Sequence, residues 1–274
     1  MNALPPLAVV GAGSMGGAIL RGLLASGVDP ASVAVSTRST ASAQAWSADG
    51  VRAIAVADDA TANAAAVVGA QVVLIGVKPA MVPDTLREIA DALEPGALVV
   101  SVAAGVSIAT MESIVPNPVV RAMPNTPALV RRAVTGIAAG SRTTDADLAV
   151  ARALFEAVGS VIEVPESQIN ALSAFSGSGP AIYAFVVEQL TVSAQRLGFT
   201  AADARTMAEQ TFVGTAQLMV ATGDEPAELR RKVTSPKGTT ERIVAVLDDA
   251  DLASIFDRAA AAAITRAEEL SAGS

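Results

Sequence analysis

Near the N-terminus the chain reads Gly11-Ala12-Gly13-Ser14-Met15-Gly16, three glycines in a G-x-G-x-x-G spacing. That spacing allows a tight turn, a close backbone approach to a pyrophosphate, and a helix start whose free N–H groups face the anion. Further on stand Ser36, Thr37, Arg38 and Ser39. Chains that bind NAD usually place a carboxylate there for the ribose hydroxyls. Hydroxyls and a guanidinium suit a 2′-phosphate instead. The cofactor indicated is NADPH, with NADH possible and less favoured. The competing reading of Arg38 is an ordinary surface arginine.

Other candidates lie where strand-like runs end. Val77, Lys78 and Pro79 follow one such run, and Lys78 is either a cofactor contact or a solvated lysine. Asn63 can reach a ribose or simply form an Asx turn. Ala103-Ala104-Gly105 and Met123-Pro124-Asn125-Thr126-Pro127 close two more runs. The paired prolines make the second a rigid loop, which is either functional or only a turn. Later in the chain, Ser176-Gly177-Ser178-Gly179-Pro180 and Thr234-Ser235-Pro236-Lys237-Gly238-Thr239-Thr240 each precede a helical pattern. Each offers backbone N–H groups to an anion such as a carboxylate. The second is dense in hydroxyls for a cap alone.

Composition excludes several chemistries. The chain has 274 residues with no cysteine and no histidine, so disulfides, thiol nucleophiles, thiolate metal sites and imidazole acid–base catalysis are ruled out. No metal site is expected. A net charge of −8 disfavours a nucleic-acid partner. No apolar stretch is long enough to span a bilayer and no signal peptide is visible, so a cytoplasmic location and no membrane partner are expected. The 51% hydrophobic content with only 3% aromatics favours a sizeable core of closely packed helices over an all-β fold.

The elements that must position these residues alternate. Leu7–Val10, Val33–Val35, Val72–Val77, Leu98–Val102, Val119–Met123, Gly136–Ala139 and Val161–Val164 read as strands. Helices are expected between them, including 81–93 and 145–158. Near-continuous apolar strands separated by helices indicate a parallel sheet covered on both faces. After Pro165 the strand pattern stops. Helices are expected at 166–175, 179–197, 201–222, 226–233, 239–248 and 251–271. The fold class is therefore α/β: an N-terminal Rossmann-type doubly wound sheet (1–165) followed by an all-helical domain (166–274). Helix 179–197 is apolar on more than one stripe, which is either central burial within one chain or burial by a second subunit.

Together the glycine turn, Val77-Lys78-Pro79, Ala103-Ala104-Gly105, the run Arg121 to Val130, Ser176 to Ala181 and Val233 to Thr240 resemble pyrroline-5-carboxylate reductases. The motifs occur in family order over nearly the whole chain. Two departures stand out: Lys237 where the family usually has a second glycine, and Glu225-Pro226 where it usually has His-Pro. The resemblance implies NAD(P)H-dependent reduction of 1-pyrroline-5-carboxylate to L-proline, with the helical domain forming a homodimer, often assembled further into rings of dimers. It implies cofactor contacts at Ala12, Ser14, Met15, Arg38, Asn63, Val77, Lys78 and Ala104. It implies substrate contacts at Glu166, Ser235, Gly238, Thr239 and Thr240. On this reading the N–H groups around Gly238 hold the substrate carboxylate and the Thr240 hydroxyl bonds the ring nitrogen. The alternatives are a reductase of another imine or keto acid on the same fold, or a non-catalytic NADP-binding regulator.

Overall fold

The computed structural model describes residues 4–272. The apolar run at the N-terminus forms β1 (Leu7–Val10), and the glycine turn leads into α1 (Ser14–Ala25). β2 (Val33–Thr37), α2 (Thr40–Ala48), β3 (Arg52–Ala55), α3 (Ala62–Val67) and β4 (Val72–Ile75) follow. Next come α4 (Val82–Ile89), β5 (Leu98–Ser101), α5 (Ile108–Glu112) and β6 (Val119–Met123). β7 (Ala133–Ala139), α6 (Asp145–Glu156), β8 (Gly159–Glu163) and α7 (Ile169–Phe175) complete this part.

Among the described residues the strands form one sheet in the order β3-β2-β1-β4-β5-β6-β7-β8. From β3 to β6 every pair is parallel. β7 runs antiparallel to β6, and β8 is parallel to β7. The sheet is thus mixed, not wholly parallel as the alternation suggests. The reason is the connection between β6 and β7: it holds a short 3-10 turn, Thr126–Val130, and no crossover helix. A parallel return would need a longer crossover.

Both faces are covered. One packs Val9, Leu20, Leu23, Trp46, Leu154 and Phe155 under α1, α2 and α6. The other packs Val10, Ile75, Leu86, Ile89, Met111 and Ile169 under α3, α4, α5 and α7. Each fully buried aliphatic side chain of this kind contributes about 1.5–3 kcal/mol. β1 lies between β2 and β4, so the winding reverses there. A crevice forms beyond the carboxyl ends of β1 and β4, where open α/β sheets take ligands.

The chain divides into two compact units: one runs to Ser178 and includes the chain from Ala263 onward, and the other is Gly179–Ala262. In the second, α8 (Gly179–Arg196) packs on α9 (Ala201–Thr222), with the Tyr183 and Phe212 rings 5.8 Å apart. Thr200 caps α9 at its start, and Gly223, with φ 68°, closes it. α10 (Pro226–Lys232), α11 (Thr239–Asp249) and α12 (Leu252–Ala272) follow. Large apolar side chains stay exposed on α8: Tyr183 at 58%, Phe185 at 59% and Leu190 at 55%.

Candidate functional site

The glycine turn is built by contacts that no side chain fits. Gly11 has φ 86°, and a Cβ added there would lie 2.8 Å from Val77 Cγ1. A Cβ on Gly16 or Gly76 would lie 2.8 or 2.7 Å from the Gly11 carbonyl oxygen. Turn, helix and the end of β4 are therefore in direct backbone contact. At Gly13, by contrast, an added Cβ meets nothing within 4 Å. The N–H groups of Gly11 and Ala12 both donate to the Ser36 carbonyl at 3.1 Å, fastening the turn to β2. No side chain caps α1, so its first N–H groups are open to an anion.

Beside this turn lies a cavity of about 570 Å³. It brings together Gly11, Ala12, Gly13, Ser36, Thr37, Arg38, Asn63, Val77 and Lys78 from the sequence-predicted set. Ser39 lines it too, and as N-cap its hydroxyl accepts from Ser42 N–H at the start of α2. Gly16 lies buried beneath the turn. Ser14 lines a neighbouring cavity with Arg21 and Trp46, and the Met15 side chain packs on the core. Pro79 opens a 3-10 turn after Lys78, and Ala104 is exposed just beyond β5. These five do not line the larger cavity. The glycine cradle, the uncapped helix and the hydroxyl and guanidinium donors fit a phosphate-bearing dinucleotide.

Asn63, in the first turn of α3, makes no Asx turn. Its Oδ1 accepts from the buried Ser36 hydroxyl at 2.6 Å, and its Nδ2 donates to Glu88 Oε2 at 2.9 Å. Asp84, Thr85 and Glu88 of α4 line the same cavity. Sequence reasoning missed these three, because their place depends on how α4 docks and no motif marks them.

Glu166 sits in a polar knot. Its Oε1 accepts from Ile108 N–H at 2.8 Å and pairs with Arg121 at 3.1 Å. Arg121, only 7% exposed, also donates to Asn170 Oδ1 at 3.3 Å. The rigid loop after β6 has a structural anchor. Asn125 donates to the Ser176 carbonyl at 2.8 Å and accepts from Val134 N–H at 3.0 Å.

In the second unit Ser235-Pro236-Lys237-Gly238 forms a turn closed by Gly238 N–H to the Ser235 carbonyl at 3.0 Å. Lys237 has φ 62° and its N–H donates to Glu241 Oε2 at 3.0 Å. Gly238 is the N-cap residue of α11 and provides no side-chain cap. Thr239 and Thr240 occupy the first turn, while the Thr234 hydroxyl is spent on the Arg230 carbonyl at 2.6 Å. Just upstream, a hydrogen bond from Lys232 holds the Asp224 carboxyl below its usual range, and Arg231 does the same for Glu228.

Among the described residues no helix is long and apolar enough to cross a membrane. Residues 166–270 match the family model for pyrroline-5-carboxylate reductase dimerisation, and residues 6–105 match the model for NADP oxidoreductase, coenzyme F420-dependent. A pyrroline-5-carboxylate reductase of Pseudomonas aeruginosa is 38% identical over 97% of this chain and 97% of its own. The structure of a pyrroline-5-carboxylate reductase from Coxiella burnetii superposes with a TM-score of 0.92 at 36% identity, covering 98% of this chain and 99% of that one. The fold is also that of Plasmodium falciparum pyrroline carboxylate reductase, solved with NADP bound: TM-score 0.80 at 22% identity, over 99% of each chain. With similarity at this level over its whole length, the chain belongs to the pyrroline-5-carboxylate reductase family.

Proposed function

We propose that the chain reduces the C=N bond of 1-pyrroline-5-carboxylate to L-proline with NADPH as reductant. The observation that carries this reading is the full-length similarity to pyrroline-5-carboxylate reductases. The preference for NADPH rests on the end of β2, where Thr37, Arg38 and Ser39 line the cavity. A fork of guanidinium donors there suits a 2′-phosphate.

When bound, the reduced nicotinamide supplies the hydride. The open N–H groups of α1 and the free flank of Gly13 receive the pyrophosphate. Arg38 takes the 2′-phosphate, while Asn63 and Lys78 contact the cofactor from the cavity wall. In the helical unit, Ser235 and the N–H groups of Gly238 and Thr239 hold the substrate carboxylate. The Thr240 hydroxyl accepts a hydrogen bond from the protonated ring nitrogen. With no histidine or cysteine in the chain, that proton comes from solvent, and the protein's part is positioning. Glu166, whose Oε1 is engaged by Arg121 and Ile108, is the substrate contact that the sheet-bearing unit contributes.

The functional division falls at 165/166, and the chain acts as a homodimer through residues 166–270, assembled further into a ring. The apolar side chains exposed on α8 support that reading. The test is a panel of imines and keto acids, each with NADPH and NADH, followed by loss of reduced-nicotinamide absorbance. The expected outcome is turnover with pyrroline-5-carboxylate, faster with NADPH. No turnover with that substrate overturns the proposal.

A further inference from the structure

The wall of the larger cavity carries a continuous hydrogen-bond chain. Gly11 N–H approaches Ser36 Oγ at 3.3 Å, the Ser36 hydroxyl donates to Asn63 Oδ1 at 2.6 Å, and Asn63 Nδ2 donates to Glu88 Oε2 at 2.9 Å. It joins the glycine turn, the end of β2, the start of α3 and the exposed side of α4. Its two inner members are ambivalent in principle: a hydroxyl can donate or accept, and an amide can be rotated to exchange its oxygen and nitrogen. Its two ends are not: the Gly11 N–H only donates, which leaves the Asn63 amide free to take either orientation beyond Ser36, and an ionised carboxylate only accepts.

We propose that Glu88 is a positioning residue for the cofactor, fixing the direction of this chain. Its carboxylate obliges Asn63 to turn its NH2 toward α4 and its carbonyl toward Ser36. Ser36 must then spend its only hydrogen on Asn63 and present a lone pair to Gly11 N–H. The buried hydroxyl is held in one orientation against the glycine turn, and Asn63 is held in one amide orientation in the cavity. The second Nδ2 hydrogen of Asn63 takes part in none of these bonds and is the donor left for a sugar oxygen. Reverse the amide and that donor gives way to an acceptor, while the Ser36 hydrogen loses its acceptor. The inference rests on the reading of this cavity as the cofactor site.

Glu88→Gln tests it, because glutamine keeps the size and removes the one-way acceptor. The Michaelis and dissociation constants for NADPH are expected to rise roughly 3- to 10-fold, the range of one hydrogen bond. Turnover at saturating cofactor, the Michaelis constant for the imine substrate and the melting temperature are expected to stay at wild-type values. The same change in a Ser36→Ala background is expected to cost less, because the direction of the chain then no longer matters. Glu88→Asp, which remains an obligate acceptor, is expected to recover part of the loss. Wild-type NADPH affinity in Glu88→Gln overturns the inference, as does full additivity with Ser36→Ala. Failure of the wild-type protein to bind NADPH would instead remove the cofactor reading itself.

Discussion

Arg38 and Ser36 lie two residues apart on the wall of the cavity, one charged and exposed, the other buried and hydrogen-bonded to Asn63. Arg38 is exposed and lines the cavity. Arg38→Ala is expected to raise the Michaelis constant for NADPH roughly 10- to 150-fold, from about 1.5–3 kcal/mol for a charge-assisted bond. NADH use, measured in parallel, should hardly change. An equal loss for both cofactors contradicts the phosphate assignment. For Thr240→Val, pre-steady-state and steady-state rates should fall while NADPH binding, titrated separately, stays intact. Residues whose role is set by local backbone were legible in the sequence: Gly11 sits at φ 86°, which a turn running straight into a helix asks of glycine. Asn125 and Glu88 were not legible in their roles. Asn125 answers to Ser176 and Glu88 to Asn63, partners far off in sequence.

Among elements, the long helices were readable because caps and periodicity agree. Thr200 begins α9 and Gly223 ends it, close to where the pattern breaks. The elements missed are short or weakly patterned. α3 is six residues, four of them alanine, and β3 is an edge strand with one fully buried position. Such segments take their form from docking on the sheet rather than from their own propensity. The reversal at β7 was hidden for a similar reason, since strand direction depends on the connection and not on the strand. The turn before α11 holds a locally unfavourable choice. Lys237 sits at φ 62°, after a proline, in the position where such turns favour glycine. Lys237→Gly should therefore raise the melting temperature by ~1–3 °C in differential scanning calorimetry, from about 0.5–1 kcal/mol of relieved backbone strain less the added unfolded-state entropy. An unchanged or lower midpoint would mean that the bond to Glu241, or the lysine itself, offsets the strain.

At the scale of the whole molecule, the two units bury their side chains very differently. The sheet-bearing unit encloses Phe155, Leu20, Ile75 and others completely, whereas the Gly179–Ala262 unit buries chiefly Ala204, Ala208 and Leu229. A helical unit with so little enclosed and so much apolar surface lacks a core of its own. Under the proposed dimer, the missing burial comes from a second copy, and folding and association become one equilibrium. The melting temperature should then rise with protein concentration, read by scanning fluorimetry over a hundredfold range. Phe185→Glu should shift sedimentation toward the monomer and remove that dependence. A midpoint independent of concentration, with a monomeric mass throughout, rules the dimer out.

The bare start of α1 carries a further consequence. With no side chain bonded to the leading amides, those of Ser14 and Met15 rely on water until an anion arrives. Deuterium should enter these two positions quickly in the ligand-free protein and slowly once a dinucleotide is seated, while the buried amides of β1 keep the same slow rate in both states. The ligand would thus complete the first turn of the fold that receives it.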